Sequence, residues 1–366
     1  MNDPQLRTMP AGRTPDISSE QRLAEIRRQA ELHGAVKAQG IRPAGAPFPA
    51  ASEETGYYGI PLLKEPAWTW EIPLYFFVGG AAGSAAVIGA IASYTGADRK
   101  LVRNAQWIAA AGTVLSPALL VADLGKPSRF LNMLRVFKPQ SAMSVGVWTL
   151  VGFSAGASAA AFAGFLQDRY GPSLSLRMVE NAGQAVSMAF GLPFSNYTGV
   201  LIGATAIPVW NENVGNLPIH FGASGLSAAV GMLELMGNDK SRALQALGVG
   251  AAMVECWEGF RLESKAKPSL EPVKRGLSGA IVRTGGLLSG PVPLALRIAS
   301  TMTSGRQSKR LRRFAAASAI AGSLLTRIGW IHAGHVSARD WKVPLEIPRT
   351  QRTTQATENS IRATSF

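Results

Sequence analysis

The chain has 366 residues, 47% of them hydrophobic and only 16% charged, against roughly 25% charged in an ordinary soluble domain. A formal net charge of +14 would suggest nucleic acid, but the cations sit in polar tails and in short stretches between apolar runs. Cations there meet lipid head-groups, so a nucleic-acid partner is set aside.

Residues 1–55 form a polar tail carrying Pro10, Pro15, Pro43, Pro47 and Pro49, expected to be flexible. Within it, Ser18–Ala38 predicts a short helix, with Ser18 as N-cap and Gln21 three residues on. No secretory leader is expected, because the first apolar run begins only near Leu74. Residues 56–73 are rich in Trp, Tyr and Pro, which suits a membrane–water boundary.

A membrane span needs about 20 mostly apolar residues. Eight stretches qualify as candidates: 74–95, 104–123, 143–166, 180–209, 217–236, 243–262, 279–299 and 314–336. The fourth holds Pro193, which implies a kink or a break. The seventh is the weakest, with Arg283 near one end and Pro291 and Pro293 near the other. Small residues such as Gly79–Ala86 let helix backbones approach closely in lipid. Residues 337–366 return to a polar tail. The expected fold is all-α, a polytopic membrane protein of about eight transmembrane helices.

With eight spans both termini lie on one face. Short loops and tails on that terminal face carry 13 Lys and Arg against 12 on the other, so charge bias leaves the orientation open. The basic tail ahead of the first span favours a cytoplasmic terminal face.

Threading the spans alternately puts Glu71, Asp123, Asn196, Tyr197, His220, Glu255, Glu258, Arg283, Arg327, His332 and His335 in the half of the membrane next to the terminal face. The opposite half offers mainly boundary groups such as Glu180 and Glu234. Ionisable residues inside a membrane are costly and mark function by default. The cluster therefore predicts a polar pocket on the terminal side. Taken singly, Arg283 and Arg327 could instead pair with Glu255 and Glu258, and the two late histidines could lie at the interface.

A resident redox centre is not expected. The single cysteine, Cys256, excludes an intramolecular disulfide and cannot hold an iron–sulfur cluster, which takes about four thiolates. Haem would need His220 to face His332 or His335 across a buried ring, and these lie near one surface. No single helix carries His, Asp and Glu at metal-ligand spacing, so no metal site is expected.

Three ordered stretches carry a resemblance: GIPLLKEPAWTWEIPLYFFVGGAAG at 59–83, DLGKPSRFLNMLRVFKPQSAMSVGVW at 123–148, and NYTGVLIGATAIPVWNE at 196–212. They resemble the NrfD/PsrC family of polysulfide reductase membrane subunits, from the first span to the start of the fifth. The resemblance implies two four-helix bundles, one over 74–209 with a quinone pocket and one over 217–336. It implies that Tyr197 contacts the quinone, with Asn196 beside it. The family's asparagine and histidine positions on the first helix fall at Ile72 and Tyr75. The departure at Ile72 removes a polar contact, which Glu71 or Tyr75 would replace. Asp123 falls at the family's acidic position.

Two function classes follow. In the first, the chain is a quinone-binding subunit (menaquinone or ubiquinone) of a respiratory oxidoreductase in the bacterial cytoplasmic membrane. Tyr197, Tyr75 and Asn196 would bind quinone, and Asp123, Glu71 and His220 would handle protons. The resemblance implies a ferredoxin-like iron–sulfur partner and a molybdopterin-type catalytic subunit. In the second, the acids form a relay in a proton-conducting or transporter-like subunit, for which polar groups should reach both leaflets. A membrane anchor would not need intramembrane acids.

Overall fold

The structure is a computed structural model describing residues 63–126, 128–340 and 343, together with Ala24, Glu25 and Arg28 of the N-terminal tail. Those three tail residues are helical, and the rest of the predicted 18–38 helix lies outside the described residues, as do most of both polar tails. The chain divides into Met1–Ile60 and Pro61–Phe366, and the account below concerns the second unit.

Every regular element among the described residues is helical. In chain order they are α1 (Glu71–Tyr94), α2 (Arg99–Asp123), α3 (Arg129–Leu134), α4 (Ala142–Tyr170), α5 (Leu174–Gly203), α6 (Pro208–Asn211), α7 (Leu217–Leu233), α8 (Arg242–Ser264), α9 (Glu271–Lys274), α10 (Gly276–Ser289), α11 (Pro291–Thr301) and α12 (Gly305–Arg339). A π-helical turn, Glu234–Asn238, extends α7, and a single 3-10 turn, Pro268–Leu270, precedes α9.

The starts of four long helices are written locally. Asp98, Ser141, Ser173 and Ser241 each accept a backbone N–H of the first turn on a side-chain oxygen. Such caps satisfy donors that the helix cannot bond itself. Gly171, at φ +95°, ends α4 in a backbone conformation that L side chains rarely adopt.

Six helices are long and apolar enough to cross a membrane: α1, α2, α4, α5, α7 with its π turn, and α12. α8 has the length, but Glu255 and Glu258 lower its apolarity. The seventh expected span is divided. α10 ends at Ser289, Gly290 leaves helical geometry at φ −108° and ψ −88°, and Pro291, lacking an N–H, starts α11. By length and composition six helices among the described residues qualify as spans, and the expected count of eight is not confirmed.

The fourth span does not break at Pro193. α5 runs through Pro193 without interruption, and Ser195 Oγ and Asn196 Nδ2 both donate to the Leu192 carbonyl beside it. Side chains and neighbouring helices commonly make a transmembrane proline tolerable in this way. The break comes after Gly203. Ile207 is extended, as a residue before proline prefers, and Pro208–Asn211 forms a separate turn.

Helices α1, α2, α4 and α5 pack on one another, and so do α7, α8, α10, α11 and α12. α1 joins the two groups, touching α7 and α12 as well as α2 and α5. Some 78% of its most apolar stretch is buried, against 28% for α2, so α1 is the axis and α2 faces lipid. Close approach at the axis depends on absent side chains: a Cβ at Gly83 would stand 2.6 Å from the Gly191 carbonyl oxygen of α5.

Candidate functional site

The first group of helices gathers four of the predicted residues at the end where the described chain enters and leaves. Glu71 opens α1, and Tyr75 lies one turn on, on the same face. Asp123 closes α2. Thr69 ties the two carboxylates together: its backbone N–H bonds Asp123 and its hydroxyl donates to Glu71. Both acids are half-buried.

Tyr197 is buried, its ring against Gly146 of α4, and its hydroxyl donates to the Ala142 carbonyl at 2.5 Å. Tyr75 is also buried and packs at 6.3 Å from the Phe194 ring. Desolvated among aromatic rings, Tyr75 keeps its phenol within the apolar core that also holds Ile72 and Phe76. Ile72 is buried beside them, so an apolar side chain does occupy the position where the resemblance expected a polar contact. The cluster thus joins two carboxylates that can hold protons with two phenols that can donate hydrogen bonds.

Asn196 does not join it. Successive helical residues point about 100° apart. Asn196 therefore faces Gly222 of α7 and lines a cleft of about 390 Å³ that runs towards the other end of α1, past Ile91 and Thr95.

His220 also separates from Asp123 and Glu71. Its ring turns into the second group, with Nδ1 3.5 Å from Glu255 Oε1 and the Trp330 ring edge-on at 6.3 Å. It lines a cavity of about 390 Å³ together with Glu255, Cys256 and Trp330. Sequence reasoning missed Trp330, because nothing in a run of apolar residues distinguishes a lipid-facing indole from a cavity-lining one.

The pairing expected for the arginines is different. Arg283 bonds Glu263 through Nε at 2.6 Å and Nη2 at 3.0 Å. Arg327 is fully buried at the junction and donates to Ser224 Oγ, Ser323 and the Phe221 carbonyl. Its guanidinium occupies space left by Gly80 of α1. Of the late histidines, His335 Nε2 lies 3.1 Å from the Trp68 carbonyl oxygen, tying the end of α12 to the segment before α1.

The far end of the helices is less apolar than expected. Glu180 is buried, with Gln106 and Gln167 donating to it at 2.9 and 2.6 Å. Glu234 is buried in a two-bonded pair with Arg297, at 2.5 and 2.9 Å. These groups are core partners and not boundary residues. Among the described residues no three His, Cys, Asp or Glu side chains gather as metal ligands.

A search of curated proteins finds no match. The polysulfide reductase NrfD family model matches residues 54–339, which covers both helix groups and the three resembling stretches. The chain is thus a multi-pass membrane protein, and it belongs to the polysulfide reductase NrfD family of redox-complex membrane subunits.

Proposed function

We propose that this chain is the quinone-exchanging subunit of a respiratory oxidoreductase in the bacterial cytoplasmic membrane. It would work with a ferredoxin-like iron–sulfur subunit and a molybdopterin-type catalytic subunit. The observation carrying this reading is the pair of carboxylates held beside two buried tyrosines in the first helix group. The chain has one cysteine, so cluster-borne electrons must come from a partner.

The residues present suit a quinone head-group, which when bound supplies two-electron, two-proton chemistry. The Tyr75 phenol would donate to a carbonyl oxygen, and Tyr197 would do so by releasing the Ala142 carbonyl. Asp123 and Glu71 would hold and deliver protons at their carboxylate oxygens, the role of general acid and base. Thr69 keeps both acids in position through the exchange. Asn196 and His220 have no part in this arrangement.

A proton-conducting role is the second reading. It is favoured by the buried acids Glu180 and Glu234, which supply polar groups at the end of the helices away from the cluster.

The test is quenching of a fluorescent quinone-analogue inhibitor by the purified protein, alongside passive proton flux in quinone-free liposomes. Tyr197→Phe should weaken binding by about 2- to 13-fold, the loss of one neutral hydrogen bond of about 0.5–1.5 kcal/mol. Asp123→Asn should retain binding and slow turnover with quinol in the complex. Absence of binding in the wild type, with proton flux present, would establish the second reading instead.

A further inference from the structure

We infer that the cavity between α7, α8, α10 and α12 binds a neutral, hydroxyl-bearing ring head-group with an apolar tail, at a site separate from the carboxylate–tyrosine cluster. The cavity holds about 390 Å³, within the usual range for a small-molecule site, and Phe260, Val282 and Leu287 give it apolar walls. Three polar atoms on its lining residues have no hydrogen-bond partner among the described residues: Glu255 Oε1, His220 Nδ1 and Trp330 Nε1. Glu255 is 1% exposed and Trp330 3%, so bulk solvent does not serve them.

The neighbours do not resolve this. Ser289 Oγ donates to the other oxygen of Glu255 at 2.7 Å, leaving Oε1 open. At 3.5 Å, His220 Nδ1 is too far from Oε1 for a good hydrogen bond. Arg327 gives Nη1 and Nη2 to Ser224, Ser323 and the Phe221 carbonyl, its Nε has no partner among the described residues, and none of the three bonds Glu255. One orphan atom in a buried site can be an accident of geometry. Three on the lining of one cavity mark a missing partner.

The chemistry of the three atoms selects that partner. An indole N–H can only donate and a carboxylate can only accept. A hydroxyl meets both, giving its proton to Glu255 and accepting from Trp330. A phosphate head-group would bring negative charge against the buried Glu255 carboxylate, which like-charge repulsion opposes. Water would satisfy the polar atoms but leave the apolar walls without a partner. The choice of a ring head-group, a quinol or close analogue, rests on the proposed quinone exchange; the site itself rests on the cavity and its orphan atoms.

Photolabelling of the full-length chain in its native membrane with an azido-quinol tests this. Labelled peptides should include residues 255–262 or 326–330, and excess unlabelled quinol should suppress them while a phospholipid analogue should not. Trp330→Phe should raise the concentration needed for this labelling by about 2- to 13-fold, and Glu255→Gln by at least as much. Label on residues 71–75 or 194–203 reports separately on the first helix group, so either site can fail alone. The inference is overturned if the second-group peptides stay unlabelled, or if both variants label as the wild type does.

Discussion

Tyr197 lies against Gly146, where an added Cβ would stand 1.9 Å from its ring carbon Cζ. Gly146→Ala should push the ring off α4 and break its hydrogen bond to Ala142. Overpacking of this kind costs about 1–3 kcal/mol. The expected outcome is a lower Tm of the purified protein and a weaker quinone analogue, as for Tyr197→Phe. An unchanged Tm would mean that the ring has somewhere else to go. At this scale the sequence carried residue type well and direction poorly. Tyr197 and the Glu71–Asp123 pair were legible, because motif and threading both place them at one end. Asn196 and His220 were not, because their direction depends on helix rotation, and one residue of rotation sends a side chain towards a different neighbour.

Spans α1, α2, α4 and α12 were legible as apolar runs, and the weakness of the seventh was legible in Pro291. Hidden from the sequence was what the elements use to hold together. Glu234 and Arg297 are 63 residues apart, and only the meeting of the π turn after α7 with α11 makes them partners. Gly248 of α8 leaves room for the guanidinium, since a Cβ there would come within 2.5 Å of it. Removing one member of such a buried pair strands a charge and destabilises by about 3–5 kcal/mol. Arg297→Ala should therefore be severely destabilised. The double variant Arg297→Met with Glu234→Leu should recover most of the loss, because apolar residues of similar volume can replace a buried pair. Unfolding curves of the two variants decide this. A double variant as unstable as the single one would show that packing, and not the stranded carboxylate, dominates.

At the scale of the whole molecule, two ion pairs fasten the end that carries the candidate cluster. Arg339 at the close of α12 bonds Glu65 ahead of α1, and this holds the Glu65 carboxyl below its ordinary range. Glu212, in the connection leading from the first helix group to the second, is bonded by Lys267 and Ser269 from the connection after α8. Burial pushes the Glu212 carboxyl up, but the Lys267 and Ser269 bonds outweigh it, and it lies below the usual value of 4.5. A carboxylate with a lowered folded pKa adds stability that is complete above its unfolded pKa and is lost as pH falls through the folded one. Glu212→Gln lacks that contribution at every pH. The Tm gap between wild type and Glu212→Gln should accordingly be constant from pH 7 to about pH 5.5 and close below about pH 4.5. Glu65→Gln should behave alike but with a smaller gap, because its pair is more exposed and more screened by solvent. Thermal unfolding at pH 7, 5.5 and 4 measures both. A gap that persists unchanged at pH 4 would mean that Glu212 stabilises the connection by shape and not by charge. The acid sensitivity of this end would then have to come from the carboxylates of the cluster itself.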